Sequence, residues 1–222
     1  GEYNKAEQYL LKAVRYFEKI DETSSKPYSD CLFTLAKVYK TTGNYENALS
    51  YFVSSGEILK NLLGENHQEY ASTLSSQAGI YEDLGKYTEA EEFYKKAIQI
   101  KLETIGDRDL SYFISSNNLA NLYLSLDRNK EAQAILEPIV INAAPEAANY
   151  PLDYASFASN LALVYQKLGL LTEAQTLYES VLLLQEAVLG KNHFDNVTII
   201  NNMASLKIEQ GSFDEANLLF DN

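Results

Sequence analysis

The chain has 222 residues, 46% of them hydrophobic, with 31 acidic side chains against 18 basic and a formal charge of −13. That balance opposes the counterion release that drives nucleic-acid affinity, so neither DNA nor RNA is an expected partner. No apolar run approaches the roughly 20 residues that span a bilayer, which excludes a membrane-inserted segment. One cysteine, Cys31, and two histidines, His67 and His193, cannot supply an internal disulfide or a Cys/His zinc set, so no metal or cofactor is expected, and a reducing, cytoplasmic setting fits.

Along the chain, one spacing recurs. Ala36, Ala78, Ala120, Ala162 and Ala204 each lie 42 residues after the last, and Gly43, Gly85, Gly169 and Gly211 fall on the same lattice. A unit repeated this regularly cannot bury its apolar face alone and must stack on its neighbours, which predicts a solenoid and a binding function. The elements expected in chain order are an opening helix over about 2–20, then pairs at 29–42 with 45–62, 70–84 with 87–104, 111–126 with 129–142, 153–168 with 171–189, and 195–210 with 213–221. In the clearest unit, Leu74, Ala78 and Tyr81 make the apolar face of a first helix and Gly85 stops it. Tyr87 through Ala97 then begins an antiparallel partner. Ala90 and its equivalents Ala6, Ala48, Ala132, Ala174 and Ala216 are small where two helices cross. Large residues three and four positions on, such as Phe93 and Tyr94, fill the opposing space.

Leu, then Ala-x-x-Tyr, Gly-x-Tyr, Ala and Tyr or Phe is a pattern that resembles the tetratricopeptide repeat. The period of 42 and the turns Leu63-Gly64-Glu65-Asn66-His67 and Leu189-Gly190-Lys191-Asn192-His193 resemble its kinesin light chain subclass and similar bacterial arrays. The resemblance implies an all-α, right-handed superhelical solenoid of helix-turn-helix repeats acting as a noncatalytic scaffold. The expected division is a single array, 1–222, cut from a longer protein. A truncated second helix (1–28) precedes repeats at 29–69, 70–110, 111–152 and 153–194, and a truncated last repeat covers 195–222. Uncovered ends predict end-to-end self-association of the segment.

The two histidines sit three periods apart, which marks them as recurrent turn residues bonding local backbone. Ser111, Asp153 and Asp195 are expected N-caps of first helices. Asp127 stands where the turn glycine should be, and Pro138 inside the third second-helix predicts a bend or early termination near residues 134–142. Lys207, replacing a first-helix tyrosine, is expected to lay its stem on the core and keep its charge wet.

No phosphate loop, nucleophile elbow or metalloprotease helix occurs, so no catalytic or metal-ligating residue is expected and the chain is not read as an enzyme. In arrays of the resembled family the first helices line a concave groove. Carried onto this sequence, that implies groove candidates Phe33, Lys37, Ser75, Asn117, Asn121, Ser159, Gln166 and Asn201. Asparagine disfavours helix, so its recurrence calls for a reason. Either these amides clamp the main chain of an extended peptide, as in kinesin light chain repeats with a similar Asn-Asn-Leu-Ala segment, or one of each pair bonds between adjacent helices. The lysine and asparagine clamp of chaperone-binding relatives is matched only by scattered Lys37, Lys40 and Asn121. The expected function is therefore protein or extended-peptide binding. A regulatory or sensor arm of a larger protease-like or signalling effector, or a small-peptide sensor, is the alternative.

Overall fold

The computed structural model describes residues 2–219, and every regular element among them is helical. In order these are α1 (Glu2–Lys19), α2 (Lys26–Thr41), α3 (Tyr45–Leu63), α4 (Gln68–Asp83), α5 (Tyr87–Ile105), α6 (Leu110–Ser125), α7 (Asn129–Ala143), α8 (Pro151–Lys167), α9 (Leu171–Leu189), α10 (Asn196–Glu209) and α11 (Phe213–Leu218). They come in tandem pairs, first helix then second, with α1 standing as a second helix before the first pair. The described residues form two compact units, one up to Ser115 and one from Ser116, whose boundary falls within α6.

Each first helix ends in the same way. Asn44 N–H reaches back to the Tyr39 carbonyl and Gly43 N–H to Lys40, and the pattern returns at residues 85–86, 127–128, 169–170 and 211–212. This paired closure requires a left-handed residue after the last turn, which glycine supplies without a Cβ clash. In the third pair Asp127 takes that role, with φ 55° against 72° at Gly85, so the turn survives the loss of its glycine. Its Oδ1 accepts a bond from Lys167 Nζ at 2.8 Å.

Four first helices, α2, α4, α6 and α8, start slightly earlier than the repeat lattice suggests, and α10 one residue later. His67 Nδ1 accepts from Glu69 N–H and caps α4, Asp109 Oδ1 takes Ser111 N–H at 2.7 Å, and His193 Nδ1 takes Asp195 N–H. Ser111 and Asp153 thus belong to the first turns of α6 and α8 rather than capping them, and Asp195 precedes α10 without a side-chain cap bond. Capping falls to the turn residues upstream because their short reach meets the first free N–H groups.

Pro138 does not break α7 on the spot: the helix continues past it to Ala143. The proline is solvent-exposed, and so is Ala134, whose carbonyl would otherwise receive the missing backbone bond; water can take its place, which keeps the defect small. The helix is nevertheless shorter, 15 residues against 19 for α3, α5 and α9. A 3-10 turn, Ala144–Glu146, replaces the last turn of the helix, and Ala147 and Ala148 stand where the Leu-Gly turn would be.

Ala48, Ala90, Ala132 and Ala174 are fully buried on second helices, as are Ala36, Ala78, Ala120 and Ala162 on first helices. Phe52, Tyr94, Leu136 and Tyr178 fill the space beside them. Ala90→Leu or Ala174→Leu would insert volume where none remains and should cost about 1–3 kcal/mol. Unchanged thermal midpoints in both variants would show that neither alanine sits at a close crossing. Lys207 keeps its half-buried stem against α9 and α11, its ammonium 2.7 Å from Glu215 and 3.2 Å from Gln175 Oε1.

Candidate functional site

Polar residues on first helices do two separable things. Some bind the next first helix in the array. Lys26 pairs with Glu69 at 2.8 Å, Lys40 with Asp83 at 3.3 Å, Ser75 Oγ meets Ser115 Oγ at 3.0 Å, and Asn160 Nδ2 donates to Asn117 Oδ1 at 2.9 Å. Gln166 Nε2 reaches Glu209 Oε1 at 2.6 Å and Ser205 Oγ at 3.4 Å. The partners lie 39 to 43 residues apart, about one period, so these contacts tie like helix to like helix.

The sequence-derived candidates divide along this line. Asn117, 6% exposed, and Gln166, 7% exposed, are buried and already bonded. Ser75 is half-buried and engaged with Ser115, itself held by Lys101 Nζ at 2.7 Å. Phe33 packs edge-on against Phe52 at 5.1 Å and borders a small pocket of about 130 Å³ with Ser55, Leu59 and Thr73. In contrast, Lys37 and Asn201 are exposed, and Asn121 and Ser159 half-buried. Among the described residues none of these four has a side-chain hydrogen bond or ion pair. Asn121, Ser159 and Asn201 stand on α6, α8 and α10, all within the second unit.

Gln166 has a further duty that sequence reasoning missed. Tyr178 OH donates to its Oε1 at 3.3 Å, and one such pair recurs two periods earlier, where Tyr94 OH donates to Glu82 Oε2 at 3.1 Å. The acceptor lies 12 residues before the tyrosine in both. Where the second helix has Phe52 or Leu136 instead, the same first-helix position holds Lys40 or Leu124. Hydroxyl and acceptor come and go together because a buried phenol without a partner is costly. Burial chiefly, together with the Glu82 charge, pushes the Tyr94 phenol well above its ordinary range. Burial likewise raises the Glu82 carboxyl, against the opposing pull of the Tyr94 hydrogen bond. The spacing of 12 was the available signal.

No helix among the described residues is long and apolar enough to cross a membrane.

Comparison with solved structures agrees with this architecture. The chain is similar to BtubC (BKLC) from P. vanneervenii, at 17% identity over 100% of this chain and 89% of that one, with a TM-score of 0.84. It is also similar to a Podosopora anserina putative kinesin light chain of nearly identical TPR-like repeats, at 23% identity, 89% and 93% coverage and a TM-score of 0.75. A Rap protein complexed with Competence and Sporulation Factor aligns at 14% identity, covering 99% of this chain and 74% of that one, with a TM-score of 0.66. At these identities the likeness establishes fold alone. No curated protein matches the sequence. The family model for the tetratricopeptide repeat matches residues 34–103, 69–137 and 153–221, and with the paired helices and their recurrent closures this shows that the chain belongs to the tetratricopeptide repeat family.

Proposed function

We propose that the chain is a noncatalytic scaffold that holds an extended segment of a partner protein against its first-helix face. One observation carries this reading: Asn121 and Asn201 keep side-chain amides that bond nothing among the described residues, although asparagine weakens the helices that bear them. Such an amide both donates and accepts, which matches the repeating N–H and C=O groups of an extended main chain. Ser159 adds a hydroxyl between them along the second unit, where Asn117 and Gln166 serve this face indirectly by fixing the spacing of the helices that present it. In the first unit, taken by itself, Lys37 and Phe33 offer a charge and an apolar edge, and Ser75 fixes the helix spacing. Tetratricopeptide arrays are typical protein-interaction scaffolds, and the similar Rap protein is complexed with Competence and Sporulation Factor. That second likeness also favours a sensor role in which the bound segment is a small peptide.

With a partner identified by affinity purification and mass spectrometry, Asn121→Ala/Asn201→Ala should weaken binding by one to two decades, the loss of about 1–3 kcal/mol expected for desolvated hydrogen bonds. Asn117→Ala should chiefly lower stability instead, since it leaves the Asn160 amide without its acceptor. Full affinity in the Asn121/Asn201 double variant would reject this face as the binding surface.

A further inference from the structure

Three grooves occupy equivalent places between successive second helices, each floored by the first helix between them. One of about 400 Å³ lies between α1 and α3, one of about 460 Å³ between α3 and α5, and one of about 550 Å³ between α7 and α9. They belong to the face built by second helices, separate from the first-helix amides discussed above. The first two lie in the first unit and the last in the second.

The repeat lattice shows how the α7/α9 groove departs from its counterpart two periods earlier. Glu57 and Lys60 on α3 become Ile141 and Ala144, Gln77 on α4 becomes Leu161, and Lys96 on α5 becomes Ser180. In the first unit the cations are occupied: Lys60 pairs with Glu65 at 2.5 Å, and Lys96 Nζ stands 5.9 Å above the Tyr70 ring. In the second unit both cations are gone and the lining is apolar, with Ile141 70% exposed at its edge. Single exposed apolar side chains are ordinary, but Ile141 continues into Val140, Leu161 and Leu177 along one trough, and a contiguous apolar patch of this kind marks a contact surface.

Charge supplies the second half of the argument. Glu137 and Glu173 line the α7/α9 groove and no lysine or arginine does. Glu137 accepts Tyr165 OH at 3.0 Å and Gln133 Nε2 at 2.8 Å, both through Oε1, from neutral donors that leave its charge uncompensated. Glu173 has no hydrogen bond or ion pair among the described residues. Burial and the bond to Glu137, with the field of both carboxylates, push the Tyr165 phenol up to about 12, so the two charges act on one spot. From residue 116 onward acidic residues outnumber basic ones by more than two to one, which adds to the negative potential there.

We propose that this groove is a second docking surface, which takes a partner segment that inserts a branched apolar side chain and sets a lysine or arginine against Glu137 and Glu173. Two carboxylates over an apolar trough select such a segment and disfavour an acidic one, because a like charge placed there would be held without a counter-ion.

The probe is a short fluorescent helical peptide of leucine and lysine, compared with a leucine and glutamate version of the same length. Saturable binding of the cationic peptide is expected by fluorescence anisotropy, weakened tenfold or more by Ile141→Lys and several-fold, with a shallower salt dependence, by Glu137→Gln/Glu173→Gln. Glu46→Gln/Glu89→Gln, which removes two charges from the first unit, and Asn121→Ala/Asn201→Ala should leave binding unchanged; the latter pair separates this surface from the first-helix face. Since Ile141 is exposed, circular dichroism should confirm that Ile141→Lys folds. Absence of saturable binding, equal affinity for the two peptides, or equal affinity of the wild type and Ile141→Lys would overturn the proposal. So would concentration-dependent self-association in ultracentrifugation that Ile141→Lys abolishes, which would make a second copy the occupant.

Discussion

Tyr178→Ala should destabilise the chain by about 3–5 kcal/mol, as expected for removal of a fully buried aromatic ring. The side chain has no exposure, and its loss would leave a cavity against first-helix α8. The Gln166 Oε1 that accepts its hydroxyl would also lose that partner within a buried amide. Tyr178→Phe isolates the hydroxyl and should cost only about 1 kcal/mol; Phe52 occupies the equivalent position three periods earlier, so the ring alone is compatible with this site. Urea unfolding followed by circular dichroism reads both. A loss below about 1 kcal/mol for the alanine variant would mean that the second-helix aromatic is not a core element of its repeat.

Lys101→Met should stabilise the chain at neutral pH, and the advantage should vanish in alkali. Lys101 is 3% exposed. It stands one period after Leu59, a core residue packed with Tyr70, Ala71 and Leu74. Its ammonium donates to the Ser111 carbonyl at 3.1 Å and to Ser115 Oγ at 2.7 Å. Desolvation lowers its pKa from 10.5 to about 8, partly offset by the Asp109 charge. The sign follows directly. Between pH 8 and 10.5 the unfolded chain binds more protons at this site than the folded one, so stability rises with pH across that window, and below pH 8 the full penalty of burying the charge is present. At about 1.4 kcal/mol per pKa unit, the gap between variant and wild type should narrow by roughly 3 kcal/mol from pH 7 to 10.5. Tyr39 and Tyr165, raised to about 12, oppose this in both proteins, since their folded forms hold protons that the unfolded chain releases above pH 10. They cancel in the difference. A gap that stays constant from pH 7 to 10 would show that Lys101 is not held charged in a desolvated site.

The architecture was legible because a 42-residue period acts through many residues at once: alanines at crossings, glycines at stops, aromatics beside them. Helix ends were less so. The lattice locates equivalent residues, but a cap depends on which nearby side chain reaches the first free N–H, and His67 and Asp109 lie just upstream of the positions that composition favoured. Pro138 shows a related limit: the sequence marks a weakened helix end but not where within it the helix stops. Its effect depends on whether the freed carbonyl faces solvent, which spacing does not reveal.

For the candidate site, the sequence left two explanations open for its asparagines. The structure assigns Asn117 to the helix-to-helix bond and leaves Asn121 and Asn201 unbonded. Adjacent residues on a helix point about 100° apart, so membership of one motif says little about shared direction. The α7/α9 groove escaped notice because its differences are scattered along the chain; only alignment with its counterpart two periods earlier shows Glu57, Lys60, Gln77 and Lys96 replaced together by Ile141, Ala144, Leu161 and Ser180.

The two classes of polar contact also define how this chain can be cut and rejoined. A tyrosine and its acceptor, 12 residues apart, lie on either side of one tight turn, whereas bridges such as Asn117 to Asn160 span a whole period. Excising residues 127–168 would join α6 to α9 and set Tyr178 against Leu124, stranding a buried hydroxyl. Excising residues 150–191, also one period, would separate no such pair and would bring Asn202 to the place of Asn160. The hairpin cut at its outer loop, and not the stretch between two turns, is therefore the module that recombination can add or remove while keeping each buried tyrosine hydroxyl with its acceptor.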